Sequence, residues 1–317
     1  MYQRLLLTLI PLSFVLHAID VDPRIVFVVS LSAIVPLIEF MGIATERLSK
    51  RLGSVVGGLL NSTLSNAPEL IIGIVALRNG LGRVVKASLT GSIMVNLLVG
   101  LGCALVVGGL KYGLHSFDRR QFRSSGLMLV MCGFCFIVPA VFRIGTPEGT
   151  RDLSLELSAI LLVIYVGNVL ISLFNSQHHV EDATPILNGD KESYSALRSL
   201  AVLGLSGVML AFVSESVTES LIPATRVMGF SDTFSGIVLL GGVGGIGEVL
   251  TAVRFARQGK QELVMAATVG STIQMVLFVA PLLVFTGLFL GQQMNLSFSM
   301  FEVVSIVLSI ILSLIHI

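Results

Sequence analysis

Long apolar stretches alternate with short polar connections along almost the whole chain. After a first stretch at Leu5–Leu16, apolar segments run near Ile25–Thr45, Val55–Leu77, Val84–Leu110, Gly126–Phe142, Leu155–Leu173, Leu197–Ile222, Phe234–Phe255, Leu263–Leu290 and Phe301–Ile317. Each is near the ~20 residues that cross a bilayer as a helix, so the pattern predicts an all-α, polytopic membrane protein with about ten transmembrane helices. Leu5–Leu16 behind Arg4 also has the outline of a signal peptide. The following His17-Ala18-Ile19-Asp20 offers no small-x-small cleavage site, so a short first helix is the stronger reading.

The longest polar stretch, Asn175–Ser195, carries Glu181, Asp182, Asp190, Lys191 and Glu192 with Thr184-Pro185 and Asn188-Gly189 turn signals. It divides the chain into an extra N-terminal helix (1–22), a first half (23–175), an acidic linker (176–195) and a second half (196–317). His178-His179 within it read as part of a solvated loop rather than as metal ligands. With the N-terminus in the cytoplasm, 13 Lys and Arg fall on the inner connections and 7 on the outer ones. The positive-inside rule therefore places the N-terminus and the linker in the cytoplasm.

Composition sharpens this picture. Of 317 residues, 54% are hydrophobic and only 12% charged, against about 25% charged in a soluble domain. The partner is the lipid bilayer. A net charge of +1 implies no nucleic acid. The 32 glycines suit close helix–helix approach, and a homo-oligomer is compatible with such faces. Cys132-x-x-Cys135 and Cys103 lie in apolar segments without polar neighbours, which favours packing over redox or metal chemistry.

Against this apolar background, Ser65-Asn66-Ala67-Pro68-Glu69 stands out. An ionisable residue at bilayer depth costs about 2.5–3.5 kcal/mol on insertion scales and marks a functional site. Pro68 removes a backbone donor and crowds the carbonyl of Leu64. The bland alternative is a Glu paired with a cation from a neighbouring helix. Sliding the chain on itself by 179 places Glu69 on Glu248, Gly57 on Gly236, Arg78 on Arg257, Gly80 on Gly259, Ala87 on Ala266, and Gly91-Ser92 on Gly270-Ser271. The two glutamates lie five spans apart, so the copies are inverted in the membrane. Inverted repeats place a substrate site near the midplane, on interrupted helices, which is the plan of a secondary transporter.

Two facing carboxylates carry the charge complement of one divalent cation. Calcium takes 6–8 oxygens at ~2.3–2.6 Å from carboxylates, carbonyls and water. Asn66 would add a side-chain oxygen, and the backbone near Leu64 and Ser65 would add carbonyls. Ser92, Asn96, Ser271 and Gln274 are placed to orient the acids or line an aqueous path. Two desolvated carboxyls repel when both are ionised, so a proton competes with the cation for the same oxygens and the pair titrates as a unit. Glu39, and Glu215 with Glu219 one turn away, read either as a proton path or as interfacial acids paired with loop cations, as does Glu46.

Asn66-Ala67-Pro68-Glu69-Leu70, followed by Val84-Val85-Lys86-Ala87-Ser88-Leu89-Thr90-Gly91-Ser92-Ile93, resembles the first signature repeat of calcium/proton exchangers, within the cation/calcium exchanger superfamily. Ala44-Thr45-Glu46-Arg47-Leu48 and Gly57-Gly58-Leu59-Leu60-Asn61 fit the same pattern. In the second half, Glu248, Ala252-Val253-Arg254-Phe255-Ala256, Gly270-Ser271-Thr272-Ile273-Gln274 and Phe278-Val279-Ala280-Pro281 are similar to the second signature. The resemblance implies eleven helices, two inverted five-helix halves after an extra first helix, and calcium leaving the cytosol against inward protons. It implies Glu69, Glu248 and Asn66 as the residues that hold calcium, the transported substrate, with no cofactor. Short loops favour a bacterial cell membrane over a vacuole.

The chain departs from that pattern at Ser65, where the family carries glycine. It departs again at Gly244-Gly245-Ile246-Gly247-Glu248-Val249, where the second amide and a histidine are replaced. Gly245 and Gly247 still allow an irregular backbone there. The second-half side of the site is expected to be wetter, and an Asn at 245 to strengthen calcium binding. Measured against the pattern, the second half reads as one helix short. Two alternatives stay open: a degenerate, non-transporting member acting as a membrane binding or regulatory subunit, and a sodium-coupled exchanger. No Ser/His/Asp set, phosphate loop or cofactor motif points to an enzyme.

Overall fold

The computed structural model describes residues 8–19, 21–52, 57, 60, 63–113, 119–141, 147–175, 196–292 and 294–315. The linker 176–195 with His178-His179, and Gly58, Leu59 and Asn61, lie outside the described residues. Among the described residues the chain is all helix, without strands: α1 Leu9–Ala18, α2 Pro23–Arg51, α3 Ala67–Arg78, α4 Gly82–Tyr112, α5 Arg119–Val141, α6 Pro147–Asn175, α7 Ala196–Met228, α8 Asp232–Gly244, α9 Ile246–Arg257, α10 Gln261–Phe289 and α11 Met300–Ile315. Six are long and apolar enough to cross a membrane, or seven when the pair α8 and α9, bent by 46°, is taken as one span. α1 and α11 are shorter apolar helices. Helices run past the apolar limits seen in sequence: α6 begins at Pro147, eight residues before Leu155, because a helix continues into its polar ends where hydropathy has already fallen.

Local chemistry sets several ends. Asp22 caps α2 by accepting from the Arg24 backbone N–H at 2.9 Å, with Pro23 in the first turn. The Arg24 side chain and N–H hold the exposed Asp22 carboxyl down to about 2. α11 begins with a capping box. Ser299 N donates to Glu302 Oε2 at 2.7 Å and Glu302 N donates to Ser299 Oγ at 3.3 Å. The connection before it is tied inward. Lys86 Nζ of α4 donates to Asn295 Oδ1 at 3.1 Å and to the Ser297 carbonyl at 2.9 Å, and Leu296 N donates to Ser154 Oγ at 3.1 Å.

Among the described residues, two apolar cores hold the bundle. One gathers α1, α2 and α7 around Phe27, Ile34, Leu210 and Leu221, with Ile72, Val84 and Leu240 reaching in from α3, α4 and α8. The larger one joins α3 to α6 with α9, α10 and α11 around Leu97, Leu129, Leu161, Met275 and Ile306. Outward faces carry exposed Leu110, Val163, Leu197, Phe212 and Phe289, as lipid contact requires. Glycine brings α4 and α8 together backbone to backbone. A Cβ on Gly91 would stand 2.0 Å from the Ile237 carbonyl oxygen, and one on Gly241 would stand 2.7 Å from Gly91 Cα. This contact sets α8 against the middle of α4, where the polar residues of the site lie.

Candidate functional site

Two helix breaks build the site. Residues 63–65 are helical and stop at Asn66, after which α3 starts with Pro68 in its first turn. Pro68 therefore opens a helix, where its missing N–H costs nothing, rather than kinking one from within. α8 stops at Gly245 and α9 starts. The two break residues share one backbone conformation: φ −91°, ψ 10° at Asn66 and φ −78°, ψ 3° at Gly245. Each carbonyl accepts from the fourth residue on, Leu70 and Val249, at 3.2 Å. Glu69 and Glu248 each occupy the first turn of the new helix, where the positive end of the helix dipole favours an anion.

Both glutamates are buried, each 7% exposed. Both carboxylate oxygens of Glu69 and Oε2 of Glu248 have no hydrogen-bond partner among the described residues. Buried polar atoms of this kind call for an explanation, and a cation passing through is one. Among the described residues no group of three or more His, Cys, Asp and Glu comes together. A cation held by this pair would complete its shell from amide, hydroxyl and backbone oxygens, as calcium accepts.

The polar residues of α4 and α10 surround the breaks. Asn66 Nδ2 donates to Gln274 Oε1 at 2.8 Å, and Ser271 Oγ donates to Asn66 Oδ1 at 3.0 Å. Ser92 Oγ donates to the Gly241 carbonyl at 3.3 Å. A Cβ on Gly244 would lie 3.3 Å from Ser92 Oγ and 3.5 Å from Glu69 Cγ, which seats the first-half carboxylate against the end of α8. Asn96 is fully buried, and neither end of its carboxamide has a partner among the described residues. A side chain on Gly245 would start 3.3 Å from its Oδ1. α4 is π-helical over Val95–Gly100, and α10 over Ala266–Gly270 and Met275–Val279, so the polar residues sit beside locally widened turns.

Asn66, Glu69, Ser92, Asn96, Glu248, Ser271 and Gln274 thus occupy one region. Glu39 is partly buried on α2, next to Ile38, whose Cγ2 lies 2.8 Å from where a Cβ on Gly247 would stand. Glu215 lies elsewhere. It faces the α3–α4 turn, 3.7 Å from the Arg78 guanidinium and 3.5 Å from Asn79 Nδ2, which also donates to Thr218 Oγ1 at 2.7 Å. Glu219 pairs with His17 Nε2 at 3.0 Å. Both acids of α7 thus face polar or basic side chains outside the region of the two breaks. Val95 belongs to the site and does not stand out in sequence, because a valine in a span carries no signal. Its counterpart at the offset of 179 is Gln274, which was the available clue.

A profile of the sodium/calcium exchanger protein family matches residues 24–174 and 198–317. The chain is 34% identical to a Ca(2+)/H(+) antiporter of Aphanothece halophytica over 97% of its own length and 87% of that protein. It is 33% identical to the Ca(2+)/H(+) antiporter ChaA of Bacillus subtilis, over 96% and 88%. The structure of native YfkE superposes with a TM-score of 0.86 at 30% identity, covering 100% of this chain and 91% of that one. Two helix breaks with buried carboxylates thus sit on a chain whose whole length matches known exchangers. The protein belongs to the sodium/calcium exchanger family.

Proposed function

We propose that the protein exchanges calcium for protons across a membrane by alternating access, with Glu69 and Glu248 as the shared site of both ions and Asn66 as a neutral ligand. The observation that carries this reading is the pair of buried carboxylates at two equivalent helix breaks, with Glu69 Oε1 and Oε2 and Glu248 Oε2 lacking a hydrogen-bond partner among the described residues. Calcium neutralises the pair as one ion. Protons neutralise it one at a time, and the burial that makes two bare charges costly drives each replacement. Relatives named Ca(2+)/H(+) antiporter support calcium as the substrate.

The finer architecture follows the same reading. Residues 63–65 and α3 belong to one broken span, α8 and α9 form its inverted copy, and the chain counts about ten spans. The N-terminus and the linker face the cytoplasm of a bacterial cell membrane. The test is calcium uptake into everted vesicles with an imposed pH gradient. Uptake that follows the gradient, collapses with a protonophore and ignores a sodium gradient is the expected result. Uptake driven by sodium alone assigns the chain to sodium coupling, and no uptake by an inserted protein assigns it a non-transporting role.

A further inference from the structure

The offset of 179 places Asn66 on Gly245, Ser92 on Ser271 and Val95 on Gln274. The contacts obey the same relation. On one side Asn66 meets Ser271 and Gln274. On the other, Gly245 meets Val95: a Cβ there would lie 3.0 Å from Val95 Cγ1 and 3.4 Å from its Cβ, while Ser92 Oγ lies beside Gly244. The two break residues have one backbone conformation, so positions 66 and 245 are geometric equivalents. What differs is the chemistry across each contact. The first is a hydrogen bond between two carboxamides. The second is a glycine against a methyl group.

Neither change makes sense without the other. Gly245 has φ −78°, which any L residue adopts, so the glycine is not there for its backbone freedom. It is there for space. Val95 is β-branched and its χ1 is stiff in a helix, so it cannot swing away from a new side chain. Asn96 Oδ1, 3.3 Å from the same point, confines that side chain from the other flank. A glutamine at 95 facing Gly245 would in turn find no carboxamide at 245 to bond, unlike Gln274 facing Asn66. Valine fills the space that the missing amide leaves.

We propose that Val95 and Gly245 act as a single specificity-determining unit of the cation site. Together they leave one Asn–Gln bracket, on the Asn66 side, and on the Glu248 side set a valine methyl, flanked by the Asn96 carboxamide, where the second bracket would stand. The proposal rests on the reading of the site as a cation site. Calcium, which takes 6–8 oxygens, loses more by this than magnesium, which keeps several of its own waters. The unit therefore lowers the preference for calcium over magnesium.

The test is a cycle on the purified protein, titrated with calcium and with magnesium at fixed pH, with unfolding of the cation-free protein followed in parallel. Gly245→Asn alone weakens calcium binding about threefold or more, since Val95 blocks it. Val95→Gln alone brings no gain. Gly245→Asn with Val95→Gln binds calcium about fivefold more tightly than wild type, the worth of one neutral hydrogen-bonding group, with magnesium changed less. Should the double variant not fold, Gly245→Ala lowers the unfolding temperature and adding Val95→Ala restores it. Single effects that multiply to the double within about twofold overturn the proposal, as does a Gly245→Ala loss that Val95→Ala does not relieve. A wild type that binds no calcium overturns the exchanger reading instead. The unfolding arm then still decides whether the two residues act together.

Discussion

Asn66 and Gln274 are 208 residues apart in sequence and 2.8 Å apart in space, joined from Nδ2 to Oε1. Ser271 holds the other end of the same carboxamide. The break that presents Glu69 is therefore positioned by α10, a helix of the other half of the chain. A motif that looks local is completed by a distant element, and each half contributes to the other's carboxylate.

That dependence gives a first expectation. Gln274→Met keeps the bulk and removes the acceptor for Asn66 Nδ2. Losing one neutral hydrogen bond is worth about 1 kcal/mol, or about fivefold in calcium affinity. Calcium titration of the purified variant checks it; unchanged affinity would mean that the orientation of Asn66 does not matter.

Glu69→Gln keeps the size and removes the charge. Calcium-driven proton movement is expected to vanish while the protein still inserts, because water replaces a lost neutral ligand but nothing replaces the carboxylate. Dye-based proton flux in everted vesicles, with membrane content measured by immunoblot, separates the two. Exchange at the wild-type rate would remove Glu69 from the site.

Acid should weaken calcium binding. The cation needs deprotonated carboxylates, so each proton that must leave costs about tenfold in affinity per pH unit below the range where the pair is ionised. With two coupled acids the slope lies between one and two such steps and belongs to the pair. Affinity that is flat between neutral and mildly acidic pH in the wild type contradicts shared oxygens. A slope that shrinks in Glu248→Gln supports them.

The glycine contact between α4 and α8 predicts a difference in stability. Gly91→Ala places a methyl 2.0 Å from the Ile237 carbonyl oxygen, which is backbone and cannot turn aside. Overpacking of this sort costs about 1–3 kcal/mol and sometimes more. Gly102→Ala on the same helix meets nothing within 4 Å and gains about 0.5–1 kcal/mol from the better helix former. Unfolding temperatures in detergent should fall for the first and hold or rise for the second. Equal behaviour would show that α4 and α8 separate at no cost.

Much of this was written in the chain itself. Hydropathy alone placed apolar segments whose ends fall within about six residues of those of α2, α4, α7 and α10, since an apolar run long enough to cross a bilayer has few other fates. Glu69 and Glu248 were legible because charge is so costly in that setting. The offset of 179 was legible because paired glycines and acids survive where apolar residues interchange freely. Sequence was silent on where the first apolar helix packs and on which residues oppose Asn66, because those contacts join α1 to α7 and α3 to α10 across the fold.

The sequence by itself thus determined the class of molecule and pointed to Glu69 and Glu248, and the family resemblance marked Ser65, Gly245 and Val249 as departures. Only the tertiary structure decided what stands against Gly245 and where the acids of α7 lie. Glu215 looked as buried as Glu69 in the hydropathy pattern, yet it lies by Arg78 and Asn79 at a helix end. Gly245 was legible as a missing amide, yet that Val95 packs against it was not. The reason is physical. Hydropathy reports the average surroundings of a segment, whereas the role of a polar group depends on the few atoms within 3 to 4 Å of it, and in a helical bundle those atoms come from helices far away in the chain.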